Sequence, residues 1–221
     1  MFDAISPGYD RLNSLMTLGI DQKWRIRAIH ELKPIQPKMI LDVATGTGDF
    51  AIAALDLNPR QVIGLDVSVG MLDVGRSKMS QRGVDQIILL VEGDSEQIAY
   101  PDASFDAATV GFGVRNFENL ELGLREIYRV MRPGGRVAIL EPSFPQSFPL
   151  KQLFGLYFRR IVPILGRILT RDAAAYTYLP ESVGAFPSGQ QFIDIGLACG
   201  FTSGRHIPLT LGTCALYIFD K

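Results

Sequence analysis

The chain has 221 residues and a mass of 24.4 kDa, with 22 Lys plus Arg against 23 Asp plus Glu. That length supports one sizeable core without disulfide or metal staples, and 47% hydrophobic against 20% charged residues excludes a disordered charged tail. A net charge of -1 offers no global field for nucleic acid, two cysteines and two histidines without ligand spacing exclude structural zinc, and no charge-free apolar stretch of about 18 residues exists to span a membrane.

The opening MFDAISPGYD lacks the basic start and apolar run of a signal peptide, so a cytoplasmic chain with reduced cysteines is expected. Pro7-Gly8 divides this segment from a predicted helix with Asp21 as N-cap and Trp24, Ile26, Ile29 and Leu32 as its buried stripe. Beyond Pro37, short apolar runs ending in Gly or Asp alternate with helical segments, the pattern of a parallel sheet with crossover helices. Strands are predicted over 39–43 (MILDV), 62–66 (VIGLD), 87–91 (IILLV), 105–110 (FDAATV) and 136–140 (RVAIL). Helices are predicted over 48–57, 69–80 and 120–131, with Gly83 ending the second and Pro133-Gly134-Gly135 the third. The class is doubly wound α/β.

Residues 142–171 break the rhythm, with no Asp or Glu and five basic residues: Lys151, Arg159, Arg160, Arg167 and Arg171. Leu150, Leu153, Phe154, Tyr157, Phe158 and Ile161 recur at helical spacing. Such a face suits an isoprenoid tail or an anionic membrane over residues 148–171, with a helical cap packed on the sheet as the plain alternative. The rest of the chain then carries a net charge of -6. Ser188 and Gln191 read as a capping box for a helix closed by Gly200, and 201–208 with 214–219 as a closing antiparallel hairpin. The expected organisation is one domain: an N-terminal helical lid (1–37), a cofactor-binding core (38–141), the basic apolar insertion (142–187), and a helix with hairpin (188–221).

Chemistry concentrates in Asp42-Val43-Ala44-Thr45-Gly46-Thr47-Gly48, a strand running into a glycine turn that opens a helix; the glycines let backbone approach a ligand. Gly46-x-Gly48-x-x-Ala51 also satisfies the dinucleotide fingerprint, and Asp66 lies 20 residues after Gly46 where a ribose-binding acid belongs, so a nicotinamide-dependent oxidoreductase stays open. Acids at successive strand ends point instead to a cationic sulfonium nucleoside, S-adenosylmethionine. Asp42 would serve the ammonium, Asp66 the ribose hydroxyls and Asp94 the adenine amine, whereas pyrophosphate favours fewer negative charges.

LDVATGTGDFA, GLDVSVGML and EGDSEQIAYPDASFDAATVGFGVRNFENLELGLREIYRVMRPGGRVAILEPS resemble the quinone-biosynthesis C-methyltransferases, which make menaquinone or ubiquinone. Tyr9-Asp10-Arg11-Leu12-Asn13 and Tyr178-Leu179-Pro180-Glu181-Ser182 extend the resemblance over nearly the whole chain. It implies a class I S-adenosylmethionine-dependent methyltransferase fold, Rossmann-like, with a mostly parallel seven-stranded sheet, helices on both faces, and N-terminal and inserted helical caps. It implies cofactor contacts from Thr47, Asp66, Asp94, Ser95 and Gly111, the last standing where many relatives carry Ser or Ala; Asp42, Gly46 and Gly48 join them from the motif. It further implies metal-free C-methylation of a polyprenylated quinol, demethylmenaquinol ahead of the benzoquinol precursor of ubiquinone, and homodimers and residues ahead of Met1 are also family expectations. Arg115, following the fourth strand, is assigned to stabilising the quinolate or positioning a proton-carrying water. Asn116 and Tyr9 are assigned to the quinol oxygens, with Asp10 in support. A surface salt bridge is the plain alternative for Arg115, and packing under a lid for Tyr9. Trp24, Cys199 and Cys214 are expected in the core, His206 as a structural residue and His30 on the surface.

Overall fold

The computed structural model describes residues 17, 19–145, 147–149, 151–152, 155 and 181–221. Tyr9, Asp10 and the rest of residues 1–16 of the predicted lid, together with most of the basic insertion and its inserted cap, lie outside the described residues, whereas the 21–32 part of the lid is a helix packed on the sheet. Seven strands form one sheet in the order β3-β2-β1-β4-β5-β7-β6. They are β1 (Met39–Val43), β2 (Gln61–Asp66), β3 (Ile88–Glu92), β4 (Phe105–Gly111), β5 (Met131–Pro142), β6 (Ser203–Leu209) and β7 (Cys214–Asp220). Pairs from β3 across to β5 are parallel, while β7 runs antiparallel to both β5 and β6, so the sheet is mixed with one reversed strand.

Helices α1 (Asp21–Leu32), α2 (Asp49–Ala53) and α3 (Val69–Arg82) cover one face, and α4 (Leu120–Val130) and α5 (Gln190–Ala198) the other. Alternation along β1 feeds both layers. Ile40 packs with Trp24, Ile29 and Leu72, while Leu41 and Val43 pack with Leu124, Ile127 and Phe192. Helix α4 buries Gly123, Leu124, Ile127 and Val130, one stripe at helical spacing, and starts where the Asn119 side chain accepts the Leu122 N–H at 3.0 Å. Ser68 caps α3 in the same way, and Gly83 ends it in the left-handed conformation at φ 65°. Both free cysteines are buried, His30 is exposed, and His206 stacks on Tyr217 at 5.1 Å.

Four local expectations are corrected. Asp21 is not the N-cap of α1. Ile20 holds that position, and Asp21, buried in the first turn, accepts from Thr17 Oγ1 at 2.8 Å and pairs with Arg25 at 2.5 Å, so side chains rather than helix N–H groups satisfy it. Ile26 is 48% exposed, and Ala28 fills its place in the stripe. The Pro133-Gly134-Gly135 turn lies inside β5: Met131 is drawn into the sheet opposite Phe105, ending α4 at Val130, and the register shift before Ala107 absorbs the turn. Helix α5 starts after Gly189, at φ 64° and ψ −129°, without a side-chain cap from Ser188; the Gly189 N–H donates to Tyr217 Oη at 2.9 Å instead.

Strands β1, β2 and β3 build outward in one direction, and the chain then returns to the other side of β1 for β4. The carboxyl ends of β1 and β4 are therefore the switch point where this topology leaves a crevice. No helix among the described residues is long and apolar enough to cross a membrane.

Packing between α5 and β7 is tight at Gly196, where a Cβ would overlap the Phe219 ring, itself fully buried between Phe192 and Phe201. Gly196→Ala is expected to lower the denaturant unfolding free energy by about 1–3 kcal/mol, through overpacking that outweighs alanine's helix propensity. An unchanged midpoint would mean that α5 can shift away from β7.

Candidate functional site

A cavity of about 290 Å³ opens at the carboxyl ends of β1 to β4, with Gly46, Asp66, Asp94, Ser95, Gly111 and Asn116 in its walls. Six of the residues singled out from the sequence thus meet in one crevice. Asp66 ends β2 and is oriented by two backbone donors, Gly46 N–H at 2.7 Å on Oδ2 and Ser68 N–H at 2.9 Å on Oδ1. Asp94 accepts the Glu96 N–H at 2.8 Å. Arg129 pins the connection that follows, donating at 2.8 Å to the carbonyls of Ile98 and Tyr100, while Glu126 accepts the Ile98 N–H at 2.9 Å.

The glycine motif divides its labour. Gly46 is left-handed at φ 56°, and the space where a Cβ would stand is open, as a cradle for a ligand requires. Gly48 lines neither cavity; its Cβ would fall 2.6 Å from the Met79 methyl, so a glycine here serves packing against α3. Asp42 is completely buried beneath the loop, its oxygens accepting Thr45 Oγ1 at 2.5 Å and Thr109 Oγ1 at 2.7 Å. Burial pushes its pKa up to about 6, against the pull of those hydroxyls, of Arg25 and of the Ala51 N–H. Thr47 is buried, and its hydroxyl accepts from Lys78 Nζ at 3.0 Å. Neither Asp42 nor Thr47 lines the larger cavity; both border a recess of about 40 Å³ behind the loop, together with Arg25 and Asp49.

Asn116 faces the crevice, but Arg115 does not line it. Its guanidinium donates to the Phe112 carbonyl and to Glu141 Oε2 at 3.0 Å, and its backbone N–H reaches Glu141 Oε1 at 3.3 Å. Glu141 is 1% exposed at the carboxyl end of β5, and burial raises its pKa against the pull of Arg115. The alternative of a salt bridge is thus met, but in buried rather than surface form. Among the described residues, Arg115 Nε is the one buried side-chain polar atom without a partner, an orphan donor of the kind a ligand oxygen or water satisfies.

Sequence reasoning missed Glu141, Arg25 and Phe112. A charged residue inside the apolar run RVAILEP was the available signal for Glu141. Arg25 carried only its i,i+4 spacing from Asp21, because its other recess neighbours, Asp49 and Phe112, come from elsewhere in the chain. Phe112 is left-handed at φ 60°, edge-on to Trp24 at 6.2 Å and 5.9 Å from the Arg25 guanidinium. Ala44, at the end of the adjacent strand, is also left-handed at φ 52°.

The profile of the ubiE/COQ5 methyltransferase family matches residues 1–221. A demethylmenaquinone methyltransferase of Bacteroides fragilis is 47% identical over 100% of this chain and 91% of the relative. A ubiquinone/menaquinone biosynthesis C-methyltransferase of Geotalea daltonii is 41% identical over 100% of this chain and 94% of the relative. Among solved structures, a SAM-dependent methyltransferase of Thermotoga maritima shares the fold with a TM-score of 0.68, at 18% identity over 100% of this chain and 98% of that one.

The buried acid under the loop has a measurable consequence. With a folded pKa of about 6 and an unfolded value near 3.9, the folded state holds a proton between those pH values that the unfolded state has released, so Asp42 contributes less stability as pH rises through that window. Relative to Asp42→Asn, the native chain is expected to lose about 3 kcal/mol between about pH 4 and pH 6, at about 1.4 kcal/mol per pK unit. Parallel pH profiles of unfolding free energy for the two chains would show that Asp42 titrates normally.

Proposed function

The chain belongs to the ubiE/COQ5 methyltransferase family, and from that premise we propose that it transfers a methyl group from S-adenosylmethionine to a ring carbon of demethylmenaquinol, giving menaquinol. The observation that carries this reading is the charge of the crevice. Asp66, Asp94, Glu96 and Glu118 stand in the walls of the larger cavity with no Lys, Arg or His among the described residues there. Such a wall suits a sulfonium nucleoside and opposes the pyrophosphate of a nicotinamide dinucleotide. The residues fit the cofactor: Asp66 for the ribose hydroxyls, Asp94 and Ser95 for the adenine end, and the open, left-handed Gly46 for close backbone approach. When bound, S-adenosylmethionine supplies an electrophilic methyl group on a positively charged sulfur.

The chain's own part is to hold the quinol in line with that methyl and favour loss of a ring-hydroxyl proton, which makes the ring carbon nucleophilic. Arg115, paired with Glu141, stabilises the developing quinolate or a water that carries the proton away, and its partnerless Nε–H supports that role. Asn116 and Tyr9 hydrogen-bond the quinol oxygens, with Asn116 already in the crevice wall. The acid-free basic segment receives the polyprenyl tail or rests on an anionic membrane, its five cations and its apolar residues at helical spacing in the sequence supporting both. A second reading, in which the benzoquinol precursor of ubiquinone is also methylated, is favoured by the Geotalea daltonii relative, whose name covers both quinones.

Incubation with S-adenosylmethionine and each reduced quinol, with methylated products resolved chromatographically, is expected to yield menaquinol; no methyl transfer to demethylmenaquinol at any concentration would end the reading. Asp66→Ala should weaken S-adenosylhomocysteine binding by about 1.5–3 kcal/mol in calorimetry, the range for hydrogen bonds to a charged group. Arg115→Lys keeps a cation beside Glu141 but loses the planar fork, and is expected to slow turnover at least about tenfold with cofactor affinity unchanged. A fully active Arg115→Lys chain would remove the fork from the mechanism.

A further inference from the structure

We infer that Arg25 binds the carboxylate of the cofactor's amino-acid tail, in a recess behind the glycine loop that is built to receive a zwitterion. The inference rests on S-adenosylmethionine as the cofactor but not on the identity of the methyl acceptor. The recess of about 40 Å³ shares Ala44, Gly46, Gly111 and Phe112 with the larger cavity. A ligand with its ribose on Asp66 therefore has its tail beside Gly46, at the mouth of the recess. An α-amino acid tail ends in one anion and one cation, and the recess offers both counterparts. Arg25 is the one Lys, Arg or His in the walls of either cavity among the described residues, while Asp49, with a side chain 39% exposed, lies 3.9 Å from its Nη2.

Arg25 is held ready for that contact. Its side chain is 10% exposed, its Nη1 is 2.5 Å from the buried Asp21 carboxylate, and its guanidinium lies 5.9 Å from the centre of the Phe112 ring. A guanidinium carries five N–H donors in a planar fork, so the bond to Asp21 orients the group without exhausting it. Charge-assisted bonds to a carboxylate are strong where water is scarce, and this side chain is already largely desolvated. The nearby Lys78 is spoken for differently: its Nζ bridges Thr47 Oγ1 at 3.0 Å and Asp49 Oδ1 at 2.8 Å, and it lines neither cavity.

Two adenosyl probes isolate the tail: S-adenosylhomocysteine carries it, and 5′-methylthioadenosine lacks it. Calorimetry on Arg25→Gln is expected to show S-adenosylhomocysteine binding weakened about 10- to 100-fold, the range for a lost charged hydrogen bond, with 5′-methylthioadenosine binding unchanged. Because this change strands the buried Asp21 charge, Asp21→Asn with Arg25→Gln is measured alongside, and the same selective loss is expected in the doubly substituted chain. Undiminished S-adenosylhomocysteine affinity, or equal losses for the two probes, would overturn the assignment. A native chain that binds neither probe would overturn the cofactor reading, and this inference with it.

Discussion

A single buried carboxylate sets the geometry of the crevice edge. Asp42 has no access to water, and its two oxygens are satisfied by hydroxyls from opposite directions, Thr45 in the glycine loop and Thr109 on β4. The loop is thereby tied to β4, next to β1 at the switch point. Thr45 is anchored again through its N–H, which donates to Leu65 on β2 at 3.0 Å, and Gly64 leaves room for its side chain. With Thr45 fixed, the Gly46 N–H is presented to Asp66, so three strand ends are locked in mutual register before any ligand arrives. Such preorganisation spares the ligand the cost of ordering the loop.

The central strands were legible because they are covered on both faces, and burial of both faces leaves an uninterrupted apolar run in the sequence. Residues 39–43 of the sequence pattern and β1 coincide, and Gly83 ends α3 for the expected reason, a left-handed residue that only glycine adopts freely. Legibility failed where a competing partner came from far along the chain. Met131 leaves helix α4 because Phe105 is waiting in the sheet, and Ser188 loses its capping role because Tyr217 offers an acceptor to Gly189. Local signals such as Pro-Gly-Gly and Ser-x-x-Gln cannot register either event.

The candidate site shows the same division. Asp66, Asp94, Ser95, Gly111 and Asn116 reach the crevice because the parallel topology brings consecutive strand ends to one edge, so order along the chain translates directly into position. The orientation of Asp42, Thr47 and Arg115 depends on Thr109, Lys78 and Glu141, and those pairings exist only once the layers have packed. Arg115 and Glu141 illustrate the energetic stake. Two charges withdrawn from water repay their desolvation only with good mutual geometry, so the pair holds the 112–116 turn in one arrangement more firmly than it stabilises the fold. That arrangement places Asn116 and the left-handed Phe112 at the crevice and keeps Phe112 against Trp24 and Arg25.

The reversed strand β7 carries a consequence for how the chain folds. Its residues Cys214–Phe219 are completely or almost completely buried between β5 and β6, yet they come after every other described strand in chain order. Until they insert, β5 presents an unpaired hydrogen-bonding edge flanked by apolar faces, while the half from β1 to β4 already has its own strands in hand. A chain in which β7 has not yet inserted therefore has a competent-looking but open-sided sheet, the form most prone to pair with another chain. Insertion of β7 is the closing event, and a ligand bound at the opposite half cannot substitute for it.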